Sequence, residues 1–510
     1  MARHSQAGLW VNLPLFINIM IVASMSTYVP AIHALIRDDH VTSRAFFYSG
    51  TLGLIVLSFV VIVLAARRAE YGFLDQLLSL LAAYIFVPLF LSVPVYESLE
   101  TTSFLDLYVD MISAMTTTGG NFVGDLGILN PTLHLWRAQV AWLGGLLMWI
   151  VAAAVFAPLS LGGFEVTARS HARSSADTQW TVSKGESSYQ VRKVIRILVP
   201  TYVLLTVLLW LGLTIAGENS LVAVIHAMST MATSGLSPID GLIDSKTGIP
   251  GEIIMAIFML FALSRLTFSS EAFVGRQWRL FREPEFKIGV SIVFLTSVLL
   301  FVRHWIGSSG DIVIEELPHA MRAFWGHIFT VLSFLSTTGF VSAEWSLASD
   351  WSGFKSPGLI LMGLAIIGGG VATTAGGIKL LRIYVLYLNG LREIERLIHP
   401  SSVPGKSTGR IDGRQSRAFI AWIFVMLFTL SLAIITVLLT LLGGGFEDAI
   451  LLTIASLSTT GPLIDVVSEG RIQLVELSTA IKLVLAGAMV LGRIETLAII
   501  ALMSVEAWRR

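Results

Sequence analysis

Four short stretches of the chain end in nearly the same residues: Thr116-Thr117-Thr118-Gly119, Ala232-Thr233-Ser234-Gly235, Ser336-Thr337-Thr338-Gly339 and Ser458-Thr459-Thr460-Gly461. Their glycines lie 116, 104 and 122 residues apart. One such motif alone is an ordinary helix end, with glycine at the C′ position that favours a left-handed backbone. Four in one register, each behind a short apolar run, are a repeat. The chemistry open to such a set is ion dehydration. A monovalent cation leaves water only where oxygens replace its hydration shell, and a ring of backbone carbonyls supplies them. Glycine lets a strand turn its carbonyls to one side through angles that a β-carbon resists. Threonine and serine add hydroxyls on compact side chains. A helix running into each strand aims the negative end of its dipole at the ring, which favours cations.

The composition says what must position these residues. The 510 residues are 55% hydrophobic and 13% charged, and the mean hydropathy is +0.77. Soluble proteins carry about 25% charged residues, so this chain has too little charge to cover soluble domains and is a polytopic membrane protein. Its 34 basic and 34 acidic residues cancel, which leaves no electrostatic footprint for nucleic acid. With no cysteine, disulfide frameworks, thiolate zinc sites and cysteine catalysis are excluded. Runs of the roughly 20 apolar residues that cross a bilayer lie near 9–36, 46–66, 73–95, 135–163, 194–216, 251–275, 286–306, 356–388, 416–442 and 474–506. The first contains Pro14 and Pro30 without a small-residue cleavage site, and reads as a retained helix.

Shorter runs near 104–118, 220–234, 322–338 and 447–460 precede the four motifs. A short apolar helix ending in glycine inside a membrane is a re-entrant segment, tolerated where it is buried or lines water. The expected fold class is therefore an all-α polytopic membrane protein. Two N-terminal helices precede four repeats of span, pore half-helix and span around one central pore. The expected divisions are 1–70 for the two extra helices, then 71–168, 169–283, 284–399 and 400–510 for repeats 1 to 4.

Basic residues orient the chain. Arg169, Arg173, Lys184, Arg192 and Lys193 stand between repeats 1 and 2, and Arg276, Arg279, Arg282 and Lys287 between 2 and 3. Lys379, Arg382, Arg392, Arg396, Lys406, Arg410, Arg414 and Arg417 stand between 3 and 4. Residues 96–135 hold no Lys or Arg, yet include Glu97, Glu100, Asp106, Asp110 and Asp125. The linkers are thus expected in the cytoplasm and the motifs outside, on an acidic face that concentrates cations.

From about residue 9 to its end the chain resembles the TrkH/TrkG potassium-uptake subunits of the Trk/Ktr/HKT superfamily. Beyond the four motifs, the likeness rests on Trp142-Leu143-Gly144-Gly145, Glu283-Pro284-Glu285-Phe286, the stretch from Gly368 to Lys379, His399-Pro400 and Gly492-Arg493-Ile494-Glu495. It implies potassium uptake across the inner membrane of a bacterium. The implied filter is Thr117, Thr118, Gly119, Thr233, Ser234, Gly235, Thr337, Thr338, Gly339, Thr459, Thr460 and Gly461. Potassium is the transported ion held at those residues, with no cofactor in this chain.

The glycine-rich loop is too irregular to face lipid, and lies past the midpoint of its span, so it is expected to line the pore below the filter as a gate. The gate residues are Gly368, Gly369, Gly370, Thr373, Thr374, Gly376, Gly377, Lys379 and Arg493. A charge such as Arg493 inside the run 474–506 is functional by default, with an ion pair to Glu495 as the plain alternative. The resemblance sets Arg493 beside the loop. It also implies a homodimer in membrane lipid, each protomer with its own pore, and a separate cytoplasmic nucleotide-binding subunit of the TrkA type. No linker here carries a G-x-G-x-x-G that could do that work in cis. The second and fourth motifs are more hydroxyl-rich than the family pattern. Val371-Ala372-Thr373-Thr374 replaces a more usual cysteine, alanine, glycine and serine.

Competing readings fare worse. Gly376-Gly377-Ile378-Lys379 lacks the ending and the preceding strand of a phosphate loop. His226, His319 and His327 fit no metal-ligand spacing, and no Ser-His-Asp set or carboxylate pair supports an enzyme. A sodium-permeable member of the superfamily is the nearest rival. In the plant branch a serine at the first filter glycine goes with sodium, and Gly119 here favours potassium. A secondary transporter built from inverted repeats is a further rival, but these repeats keep one orientation. Reporter fusions check the topology: a tag at Ser407 is expected in the cytoplasm and one at Asp244 outside. Labelling from the opposite sides overturns the four-repeat arrangement.

Overall fold

The computed structural model describes residues 13–65, 73–99, 102–124, 127, 129–156, 184–239, 241–264, 283–307, 317–353, 356–399 and 408–494. Glu100, Asp125, Arg169, Arg173, Arg276, Arg279, Arg282, Pro400, Lys406, Ser407 and Glu495 lie outside them.

Pro14 precedes α1 (Leu15–Ser26), and Pro30 falls in the first turn of α2 (Tyr28–Ile36), where its missing N–H costs nothing. The expected first span is thus two short helices forming a 22-residue apolar length, Leu15–Ile36. The chain returns along α3 (His40–Ala65). Only 17% of its most apolar window is buried by protein, and Phe59, Ile62 and Val63 are exposed. Such an apolar belt is what a bilayer covers.

Repeat 1 comprises α4 (Phe73–Ser98), the half-helix α5 (Phe104–Met115) and α6 (Pro131–Val151). Repeat 2 has α7 (Lys184–Ile215), the half-helix α8 (Ser220–Ala232) and α9 (Gly248–Met259). Repeat 3 has α10 (Pro284–Gly307), the half-helix α11 (Leu317–Leu335), a short α12 (Trp345–Ser352), then α13 (Gly358–Ile367) and α14 (Leu380–Ile398). Repeat 4 has α15 (Thr408–Leu441), the half-helix α16 (Phe446–Leu457), α17 (Leu463–Ser468) and α18 (Thr479–Ile494). No strand occurs among the described residues, and seven of their helices are long and apolar enough to cross a membrane.

Each half-helix is gripped three ways. The two spans of its own repeat flank it, and a second span from the preceding repeat closes the third side: α6 on α8, α9 on α11, α13 on α16, and α18 back on α5. That last contact closes the ring. Glycine makes the grip tight. A Cβ at Gly144 of α6 would stand 2.0 Å from the carbonyl oxygen of Met115, the last residue of α5. Gly492 of α18 repeats the contact in repeat 4, 2.3 Å from that of Leu457. Small residues are what let membrane helices approach so closely.

Two expectations are corrected. The run 356–388 is broken at its glycine loop, but it does not end at 388: residues 368–379 form a folded loop between α13 and α14, and α14 runs on to Ile398. Hydropathy merges the three because glycine and alanine leave the average apolar. The third half-helix begins at Leu317, not near 322, because Leu317–Ala320 continues the helix N-terminally. The close glycines yield a test. Gly144→Ala and Gly492→Ala are expected to lose folded protein, at about 1–3 kcal/mol or more each for overpacking. Gly487→Ala on α18, with nothing within 4 Å, is expected to be silent. Equal detergent-extracted yield and melting midpoint for all three contradict this packing.

Candidate functional site

A helix that stops inside a membrane leaves its last carbonyls unsatisfied, and all four half-helices solve this identically. The residue two before each motif glycine is threonine with a left-handed backbone: φ is +58° at Thr117, +53° at Thr233, +56° at Thr337 and +54° at Thr459. Each of these N–H groups donates three residues back, to Ala114, Thr230, Phe334 and Ser456. The next N–H reaches five back, to Ser113, Ser229, Ser333 and Ala455, and all eight bonds measure 2.8–3.2 Å. This is the Schellman closure, with threonine where glycine is usual. A β-branched residue held there is strained by about 1–3 kcal/mol. The motif glycine is therefore not the C′ residue; it lies two positions on. Gly119, Gly235 and Gly339 turn through φ of +75°, +66° and +86°. Gly461 is not among the left-handed glycines, because Pro462 follows it and the chain enters α17.

The four strands meet in cyclic order. A Cβ on Gly119 would lie 1.7 Å from the Ser234 carbonyl oxygen, and one on Gly235 would lie 2.3 Å from that of Thr338. Gly339 faces Pro462 at 3.0 Å, and Gly461 faces the Thr118 oxygen at 2.7 Å. Gly461 N–H donates to that same oxygen at 2.6 Å. Positions 119 and 235 admit glycine alone in this conformation. The hydroxyls divide into two sets. Thr118 and Thr338 bond Thr116 and Ser336 along their own strands at 2.9 Å, and Thr460 bonds Ser458 at 3.3 Å. Among the left-handed threonines, Thr233 donates to Ala232 O, whereas the buried hydroxyls of Thr117 and Thr459 bond nothing among the described residues.

Braces hold the strands beyond the glycines, and they differ by repeat. Nine residues before the glycine stand Asp110, His226, Thr330 and Leu452. Asp110 Oδ1 accepts from Phe122 N–H at 3.3 Å, and Thr330 Oγ1 from Ser342 N–H at 3.3 Å. His226 Nε2 lies 2.9 Å from Ser237 Oγ. That hydroxyl donates to Gly241 O, so the histidine donates to it. Leu452 has no counterpart bond, since its strand has become α17. Asp110 also forms a buried bidentate pair with Arg137, at 2.8 and 2.9 Å, and Arg137 reaches Gly120 O at 3.4 Å. Lys482 on α18 joins Asp106 of α5 and Val475 O. Arg137 and Lys482 are buried charges beside the strands that sequence reasoning missed. Each stands towards the start of an apolar run, where a charge reads as the membrane surface rather than the interior.

Gly119, Gly235 and Gly339 open on a cavity of about 950 Å³. Its walls carry Asp350, Glu447, Asp448, Asp465 and Glu469 against Arg137 and Arg471, a balance that draws in cations. On the other side of the ring the loop 368–379 closes on itself: Ile378 and Lys379 N–H bond Ile366 and Ile367 O at 2.9 Å, and Leu380 N–H bonds Gly369 O at 3.0 Å. Gly368 and Gly377 take φ of +71° and +76°. Gly370 N–H bonds Ala262 O, Thr373 Oγ1 caps Gly370 O, and Glu285 Oε1 accepts from Val371 N–H at 2.6 Å.

The loop tip reaches the threonines. Gly376 N–H donates to Thr337 Oγ1 at 2.8 Å, and a Cβ on Gly376 would lie 2.0 Å from Ser458 O and 2.5 Å from Thr459 Oγ1. Thr374 Oγ1 bonds Met231 O at 3.4 Å, and Arg493 Nη1 donates to Thr374 O at 2.5 Å. Arg493 is 2% exposed. So Thr374, Gly376 and Arg493 gather under the ring, whereas Gly369 and Gly370 back onto Ala262 and Leu263 and Lys379 Nζ caps the loop's own Ala375 O. His319 is exposed and His327 packs on Trp345. Among the described residues no three His, Asp or Glu side chains are grouped to hold a metal ion.

The sequence profile of a family described as TrkH, cation transport protein, matches residues 55–508. The Trk system potassium uptake protein TrkH of Halomonas elongata is 28% identical over 450 residues, 87% of each chain. The protein of the same name from Escherichia coli K12 is 26% identical over 504 residues, 96% of this chain and 97% of that one. The crystal structure of the potassium transporter TrkH from Vibrio parahaemolyticus superposes with a TM-score of 0.80 at 22% identity, covering 98% of this chain and 99% of that one. It shares the fold.

The left-handed threonines make a prediction of their own. Thr117→Gly removes strain and a hydroxyl that bonds nothing, so the melting midpoint is expected to rise by the equivalent of about 1 kcal/mol after the added chain entropy. Thr337→Gly is expected to gain less, since it orphans Gly376 N–H. A lowered midpoint for Thr117→Gly shows that the strain is absent.

Proposed function

The chain belongs to the TrkH family of cation transport proteins, and on that footing we propose that it carries potassium into the cell across a bacterial cytoplasmic membrane. Membership places it among transporters rather than enzymes. The observation that carries the reading is the ring: four identical helix closures deliver the residue before each glycine, Thr118, Ser234, Thr338 and Thr460, to one axis in cyclic contact. An ion collected in the acidic cavity exchanges water for these carbonyls and then for the hydroxyls of Thr117, Thr233, Thr337 and Thr459. Two of those hydroxyls have no partner to give up among the described residues. The names of the Halomonas and Escherichia relatives support potassium over sodium.

The loop 368–379 is the gate of this reading. Its tip fills the space under the threonines, and the Arg493 guanidinium beside it repels an arriving cation. Opening requires the tip to leave Thr337 and Thr459. The motif side faces outward and the basic linkers face the cytoplasm, where a TrkA-type nucleotide-binding subunit would move the loop through α14. The protein works as a homodimer in membrane lipid, one pore per protomer, with repeats divided near residues 70, 168, 283 and 399. Flux into proteoliposomes tests the proposal with potassium, rubidium, sodium and lithium in turn, for the wild type and a chain lacking residues 371–375. Potassium and rubidium are expected to pass far better than sodium and lithium, and the shortened loop to conduct faster in the same order. Equal passage of sodium overturns the potassium filter; a well-expressed deletion no faster than wild type overturns the gate.

A further inference from the structure

Glu252 has no part in the pathway just described, yet it is 2% exposed within the apolar helix α9. Three donors from the next repeat meet its carboxylate. Trp325 Nε1 and Ser342 Oγ donate to Oε2 at 2.7 and 2.8 Å, and Ala343 N–H to Oε1 at 2.7 Å. The Ser342 hydroxyl also accepts from Glu344 N–H at 3.1 Å, so its hydrogen points at Glu252. Both carboxyl oxygens therefore act as acceptors, which suits the ionised acid. Arg322 of α11 is bound to Glu344 at 2.6 Å.

Ser342 stands three residues beyond Gly339, and its N–H is held from the other side by Thr330 of α11. The strand that leaves the third glycine is thus pinned on both sides, from its own half-helix and from the preceding repeat. Lys482 bridges repeats 4 and 1 through Asp106, at the start of the half-helix α5 rather than on its strand. Charge-assisted hydrogen bonds are short, directional and about twice as strong as neutral ones. A buried carboxylate holding three of them fixes backbone position more firmly than packing does. Ion choice in a carbonyl ring depends on how far the ring can adapt to a smaller ion.

We propose that Glu252 is a positioning residue for ion selection, its ionised carboxylate holding the strand after Gly339 so that the third quarter of the ring cannot close on a smaller cation. This rests on reading the four strands as a filter. The test is potassium and sodium flux into proteoliposomes, each scaled to protein inserted, for wild type, Glu252→Gln and Ser342→Ala, with melting midpoints alongside. Glu252→Gln sets an amide N–H against donors, and the potassium-to-sodium ratio is expected to fall about tenfold, the scale of one lost hydrogen bond to a charged group. Ser342→Ala removes one donor of three and is expected to lower the ratio about threefold by the same reasoning, with potassium flux nearly retained. A purely structural role would lower the midpoint and scale both fluxes together, leaving the ratio alone. If Glu252→Gln does not fold, Ser342→Ala decides. A selective wild type with an unchanged ratio in Ser342→Ala overturns this proposal alone; a wild type without potassium preference overturns the filter reading beneath it.

Discussion

Backbone carbonyls at the end of a helix have to bond something, and in hydrocarbon each one left bare costs several kcal/mol. The four half-helices end inside the protein, with Met115, Ala232, Leu335 and Leu457 all buried. Folding the chain back on itself satisfies part of each end, and the fold-back demands one left-handed residue. Thr117, Thr233, Thr337 and Thr459 occupy that position. Once the two return bonds form, the chain leaves the helix in one defined direction, and four such exits converge. The glycines then let the converging strands touch, carbonyl against α-carbon. Glycine at the left-handed position would be easier on the backbone. Threonine there accepts strain and places a hydroxyl under each quarter of the ring, so the cost and the hydroxyl arrive together.

The four quarters share a closure but not their support. The first is braced by a buried ion pair, Asp110 with Arg137. Removing one partner of such a pair costs about 3–5 kcal/mol, mostly by stranding the other charge. The second uses a histidine–serine bond, and the third a threonine together with Glu252. The fourth has no such bond and turns into α17 through Pro462, whose ring packs against Gly235 and Gly339. On the side of the loop the asymmetry is larger still. Gly376 reaches Thr337 and Thr459, in repeats 3 and 4, while Thr374 touches Met231 in repeat 2. Thr117 stands apart from these loop hydrogen bonds, its hydroxyl bonded to nothing among the described residues.

Much of this was legible in the residues. The four motifs, their spacing and their short helices set the architecture, and the glycine run 368–377 marked the loop. Other features were hidden for physical reasons. Thr-Thr-Gly suggests a glycine cap, since left-handed glycine is common and left-handed threonine rare; only the hydrogen-bond pattern separates the two. Gly461 looks like its three counterparts, and the proline after it changes its backbone. Arg137, Glu252 and Lys482 sit near the ends of apolar runs, where charges usually mark the membrane surface. Their burial follows from which helices neighbour which, a long-range fact that periodicity does not contain. Lys482 also shows that Arg493 is not the sole buried base of α18.

Because the account turns on a dehydrated ion held by backbone oxygens, locating that ion is its most direct test. Anomalous scattering from crystals soaked in rubidium would place the ion without reference to flux, gating or partner. A peak is expected on the common axis, ringed by the carbonyl oxygens of Thr118, Ser234, Thr338 and Thr460. Rubidium confined to the carboxylates of the cavity, with none in that ring, would contradict it.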